Sequence, residues 1–270
     1  MITRRNFSKL MNSDILENLM ANISEKPNPR AKNLMADTFE LSKFSKICKR
    51  PHEDYSFFTT PLGARVAGPI KKLCLEKSIN PEVIKLEQQM QNMGFCANFA
   101  DNLEAAKIIT KCYENLSQKG YKLPKEVLLM IPEKEAIQGF RPFARKGLEL
   151  ETPIIFNKDF WHGKNKGCFL PGIKHNATDS PEGIVYHEIG HFLHEKTRLD
   201  PGVAIKIWKE KANDGYDIEL AKEVGYYAMT GDKFNRGEEF IAEVFAGLMD
   251  GKKYSKKVMN LYNLLGGPAI

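Results

Sequence analysis

The stretch with the most chemical content is Gly183-Ile-Val-Tyr-His-Glu-Ile-Gly-His-Phe-Leu-His194, which contains His187-Glu188-Ile189-Gly190-His191, an H-E-x-x-H. Residues four apart share a face of an α-helix, so a helix here points His187 and His191 at one ion. Neutral imidazole is a favoured ligand for zinc. Glu188 can reach a water on that ion and act as general base, the arrangement of metalloproteases. A catalytic zinc site uses three protein ligands and keeps a position for water, so a third ligand has to come from elsewhere.

Two sources are available. His194 follows His191 by three residues, but the extended motif H-E-x-x-H-x-x-G-x-x-H needs glycine at 194 and histidine at 197. The chain has His194 and Thr197 there. That departs from the metzincin pattern and leaves His194 as a surface residue or one standing behind the ligands. The second source is Asn235-Arg-Gly-Glu-Glu-Phe-Ile-Ala-Glu-Val-Phe-Ala-Gly-Leu-Met249. Asn235 and Glu238 can form an N-x-x-E variant of the capping box. Glu239 and Glu243 fall on one helix face, with the small residues Ala242 and Ala246 nearby to allow a close helix contact. Phe240, Val244 and Leu248 can fill a core. Two carboxylates at such a contact are costly to bury unless a cation compensates them, and a zinc ion with its histidines would do so.

These two helices together resemble a zincin of the gluzincin type. The likeness is greatest to the catalytic domain of anthrax-toxin lethal factor and to related zincin-like domains of phage and bacterial toxin proteins. Their shared signature is H-E-x-G-H followed by Y-A-x-T-N-x-x-E-[FY]-F-A-E-x-F. The chain matches it at His187-Glu188-Ile189-Gly190-His191 and at Glu239-Phe240-Ile241-Ala242-Glu243-Val244-Phe245-Ala246, with Ile241 in place of an aromatic residue. The resemblance covers about residues 120–260. It implies that His187, His191 and Glu239 bind one zinc ion per chain, that Glu188 is the general base, and that Glu243 accepts a hydrogen bond from a ligand histidine, His187, fixing its tautomer. An independent argument agrees, since one helix cannot easily hold both Glu239 and Glu243 at ligand distance and still leave a position for water. A tyrosine is expected to stabilise the oxyanion. Tyr227-Ala228-Met229-Thr230 matches the Y-A-x-T fragment, although Tyr227 precedes Glu239 by twelve residues where the family has seven. Tyr226 is the neighbouring candidate.

Several elements must position these groups. Ser180 or Asp179 can cap the first motif helix, with Pro181 and Glu182 suited to its first turn. Asn80-Pro81 predicts a helix that runs to about Met93 and stops at Gly94. A second helix is predicted over Asn98–Lys119, with Phe99, Leu103, Ala106, Ile109, Tyr113 and Leu116 on one stripe and Gly120 closing it. Val127–Ile131, Pro153–Asn157 and Gly167–Leu170 are short apolar runs that read as strands of one small sheet. Either of the last two could present an edge to an extended peptide. The order of helices, small sheet and helices predicts an α+β fold. Residues 1–80 read as a helical N-terminal region or arm, with helices at Ser13–Ile23 and Ala31–Ile47, and residues 81–270 as the zincin-like domain.

Composition sets the outer bounds. The chain has 270 residues, 42% hydrophobic and 27% charged, enough to bury a core without disulfides. Its five cysteines (Cys48, Cys74, Cys96, Cys112 and Cys168) include no C-x-x-C pair, which fits reduced thiols. No apolar run is long enough to span a bilayer. Met1–Asp14 is too polar for a signal-peptide core. A cytoplasmic protein, or one delivered by a specialised route, is therefore expected. Residues 1–180 carry 28 Lys and Arg against 20 Asp and Glu, and residues 181–270 carry 12 against 14. The front half is basic, but the excess is dispersed and no aromatic residues interleave it, which argues against nucleic acid as partner. The reading is therefore a zinc metalloendopeptidase acting on a protein or peptide. The alternative is a catalytically silent, zinc-stabilised interaction module on the same scaffold.

Overall fold

The computed structural model describes residues 57–63, 65–67, 70–132, 139–140, 153–158, 176–212, 217–230 and 236–270. In chain order the elements begin with strands β1 (Phe57–Thr59), β2 (Arg65–Ala67) and β3 (Ile70–Cys74). Helix α1 (Pro81–Asn92), strand β4 (Cys96–Asn98), helix α2 (Leu103–Gln118) and strand β5 (Glu126–Pro132) follow. Two further strands, β6 (Gly139–Phe140) and β7 (Ile154–Asn157), complete the strands among the described residues. The elements described after β7 are helices: α3 (Pro181–Thr197), α4 (Pro201–Ala212), α5 (Ile218–Glu223), α6 (Tyr226–Thr230), α7 (Glu238–Met249) and α8 (Lys256–Leu264). The molecule is mixed α+β, as its segment order predicts.

Strand β5 is the axis of the sheet. One of its edges pairs in parallel with β4 and then antiparallel with β3; the other pairs in parallel with β7, which pairs antiparallel with β6. Alternate residues on a strand face opposite sides, and both sides are buried. Val127, Leu129, Ile154 and Phe156 join the large core shared with the helices. Leu128, Met130 and Ile155 join Ile70, Leu73 and Val66 in a second core, with Phe58 against it. The β1–β2 hairpin covers that second side. Its tip is tied to the buried carboxylate of Glu126, which accepts from the Thr60 hydroxyl at 2.5 Å and the Leu62 N–H at 2.8 Å.

These strands correct the expected domain boundary. Within the region expected to be helical stand strands β1, β2 and β3, and β3 pairs with β5, so the compact unit runs over Tyr55–Ile270 rather than starting at residue 81. The helices expected at Ser13–Ile23 and Ala31–Ile47, the strand at Gly167–Leu170, Cys48 and Cys168 lie outside the described residues. Cys74 and Cys112 are buried and Cys96 is half-buried. Among the described residues no helix is long and apolar enough to cross a membrane.

The predicted helix after Asn80 forms as read. Asn80 caps it by accepting from Glu82 N–H at 3.0 Å, and Gly94 follows its end at φ 86°. The next helix starts later than expected. Asn98 belongs to β4, and the cap is Asn102, whose side chain accepts from Ala105 N–H at 3.0 Å. Phe99 is thus buried before the helix rather than on its stripe.

Candidate metal centre

Helix α3 starts on a complete local signal. Ser180 accepts from Gly183 N–H at 3.1 Å, Pro181 follows, and Glu182 sits at the positive end. Thr178 ties the preceding segment to the far end of α7 through Asp250, at 2.6 Å. Val185, Ile189, Phe192 and Leu193 are buried on either side of the histidine face.

Helix α7 packs against α3. The contact is close because of what is missing from it. A methyl group placed on Gly190 would lie 3.2 Å from Ala242 Cα and 3.2 Å from Phe245 Cδ1. Glycine inside H-E-I-G-H thus lets the two backbones approach at the level of the motif. The helices run in opposite senses, since His187 meets Glu243 while His191 meets Glu239.

Three side chains converge there. His187 Nε2 and His191 Nε2 are 3.1 Å apart, and Glu239 Oε2 lies 3.1 Å from the first and 3.2 Å from the second. The triad His187, His191 and Glu239 could hold a metal ion. Behind it, Glu243 is almost wholly buried and faces two ways. Its Oε1 is 2.7 Å from His187 Nδ1, though off the line of the ring N–H, and its Oε2 accepts from the Ala177 N–H. Burial opposes a charge on His187, but Glu239 and Glu243 outweigh it and hold its pKa well above the ordinary histidine value. Burial likewise opposes a charge on Glu239, yet His191 and His187 hold its carboxyl well below the usual carboxylate range.

The remaining expected residues fall as follows. Glu188 is half-buried on α3, beside His187. Tyr227, on the short helix α6, has its ring 5.8 Å from that of His187, while Tyr226 packs against the core. His194 is not on the surface. It is 4% exposed, and its Nε2 lies 3.0 Å from the Leu265 carbonyl oxygen. The capping box at Asn235 and Glu238 does not start α7. Gly237 takes the cap position at φ 73° with no side-chain hydrogen bond, and Asn235 lies outside the described residues. Strand β7 cannot offer the edge expected at Pro153–Asn157, because β5 and β6 flank it on both sides. Among the described residues the outer strand on that side is β6, which approaches α3.

Sequence reading missed two contributors. The Ala177 N–H is a backbone donor, and no residue type announces it. Gly237 carries a signal only in hindsight, as a glycine two residues before Glu239.

Comparison with family models, with curated proteins and with solved structures returned no match.

Proposed function

We propose that the chain is a zinc metallopeptidase on a zincin-like scaffold. The observation that carries the reading is the triangle of donor atoms, with sides of 3.1, 3.1 and 3.2 Å. Ligands about 2.05 Å from a tetrahedral ion stand about 3.3 Å from one another. Two imidazoles and one carboxylate converging at nearly that spacing are a donor set suited to zinc. The carboxylate behind His187 is the usual partner that fixes a ligand imidazole.

A zinc ion bound there would supply Lewis acidity and make water nucleophilic at neutral pH. The chain's own residues do the rest. His187 and His191 bind through Nε2, and Glu243 holds the His187 ring from behind. Glu188 takes the proton of the attacking water and delivers it to the leaving amine. Tyr227 stands beside His187 to donate to the oxygen on which charge develops.

Zinc content and cleavage of unstructured peptides test this together. The parent should hold about one zinc per chain, and Glu239→Ala clearly less. Glu188→Gln should keep its zinc and lose on the order of 100-fold or more in cleavage. Parental cleavage by Glu188→Gln would sink the mechanism. A parent that holds zinc but cleaves nothing would favour the interaction module.

A further inference from the structure

The first turn of α7 carries Glu239 but lacks the usual means of fixing a helix start. Its cap residue, Gly237, sits in the left-handed region with no side-chain cap. Two side chains from elsewhere occupy the space over it. A methyl group on Gly237 would lie 2.6 Å from Leu265 Cδ1 and 2.9 Å from Trp208 Cε3. Trp208, Leu265 and Phe240 are all fully or nearly fully buried, and Trp208 also packs on the Phe240 ring, centroids 5.5 Å apart.

Leu265 is bound at the same time to the other ligand helix. Its carbonyl oxygen has no proton to give, so the 3.0 Å contact makes His194 Nε2 the donor. One turn on, the Thr197 hydroxyl donates to the Gly266 carbonyl at 2.6 Å. The tail is itself fixed. Gly267 N–H donates to the Tyr262 carbonyl at 2.8 Å, and the Tyr262 hydroxyl to the Pro268 carbonyl at 2.8 Å. Leu265–Gly266 thus touches the last turn of α3 with its backbone and the start of α7 with a side chain. Both contacts lie at the end of the helix pair where His191 meets Glu239.

We propose that Leu265–Gly266, held by His194, is a clamp that sets Glu239 against His187 and His191. His194 and Leu265 are positioning residues of the metal centre, and the third histidine of the motif helix serves the site without binding the ion. The proposal rests on the metal reading above.

The test is zinc affinity of full-length variants, by competition with a chelating indicator, beside thermal unfolding of each metal-free chain. His194→Leu removes the donor and Leu265→Ala empties the seat over Gly237. Each should weaken zinc binding about 10-fold or more, the usual effect of losing a group that orients a ligand. Val83→Ala, a fully buried site in α1 away from the clamp, should lower the melting temperature yet keep the parental affinity. His194→Gln, whose amide nitrogen can replace Nε2 as donor, should recover most of the loss. In the cobalt-substituted protein, His194→Leu should also change the visible absorption that reports coordination geometry. Zinc bound by the parent and equally by both clamp variants would overturn the clamp alone, as would equal weakening in Val83→Ala. A parent that binds no zinc would overturn the metal reading and the clamp with it.

Discussion

The two helices that meet at the metal centre are started in opposite ways. Helix α3 is fixed from within its own sequence, by the Ser180 cap, Pro181 and Glu182. Helix α7 starts on a left-handed glycine with no side-chain cap, and Trp208 and Leu265, 29 residues before and 28 after Gly237, pack over that start. His187 and His191 therefore stand on a locally determined helix, and Glu239 on one whose start is packed from elsewhere in the chain. Damage at the first start should be felt as helix stability. Damage at the second should be felt as a misplaced ligand.

The largest expected effect comes from Gly237→Ala. The new methyl meets both a left-handed backbone and two buried side chains, so a loss on the order of 3 kcal/mol is expected in urea unfolding, together with weaker zinc binding. A neutral outcome would mean that the start of α7 yields easily. Next is Gly190→Ala at the helix contact. Its methyl is less crowded, at 3.2 Å from Ala242 Cα, and about 1–3 kcal/mol of overpacking is expected. Because this contact holds both ligand helices, zinc affinity should fall as well. Ser180→Ala sharpens the contrast from the other side. It should cost about 1 kcal/mol and leave zinc affinity at the parental value, since the rest of α3 remains packed.

The smallest effect is electrostatic and lies outside the site. Asp217 caps α5, accepting from Glu219 N–H at 3.0 Å and Leu220 N–H at 3.1 Å, and pairs with Lys257 at 2.7 Å. Burial raises its pKa, but Lys257 and the two N–H donors outweigh that and leave it below the ordinary value. A lowered folded-state pKa gives stability that is present above the unfolded value, near 4, and is lost as pH falls through the folded one. Asp217→Asn should therefore lower stability modestly at pH 7, change little at low pH where Asp217 is already protonated, and so flatten the acid limb of the stability curve. Acid unfolding followed by circular dichroism checks this, and zinc affinity at pH 7 should not move.

What could be read in the sequence follows the same division. Asn80-Pro81 and Gly94, or Ser180-Pro181, act on their immediate neighbours, so residue type alone reveals them. The four-residue spacings in α3 and α7 place side chains on one face, and the donor triangle falls where they point. The late start of α2 was not legible. Asn98 and Asn102 are the same residue type, and the choice between them depends on β4 pairing with β5 and on Ala100 and Asp101 adopting φ 45° and 59°. The strands of 57–74 escaped for a related reason, since β3 is stabilised by a partner that starts more than fifty residues later. The sequence left His194 either on the surface or behind the motif histidines, because nothing near it in the chain discloses that Leu265 returns to cover it.

His191 and Glu239 lie 3.2 Å apart in space but 48 residues apart along the chain. The entropy of closing such a loop grows only with the logarithm of its length, by about 0.6 kcal/mol per doubling. The chain between α3 and α7 is not one free loop, because Trp208 packs over Gly237 and Tyr227 stands beside His187, so this small cost opens only the connections around those two anchors to lengthening or shortening. Insertions in those connections should leave the donor triangle where it is.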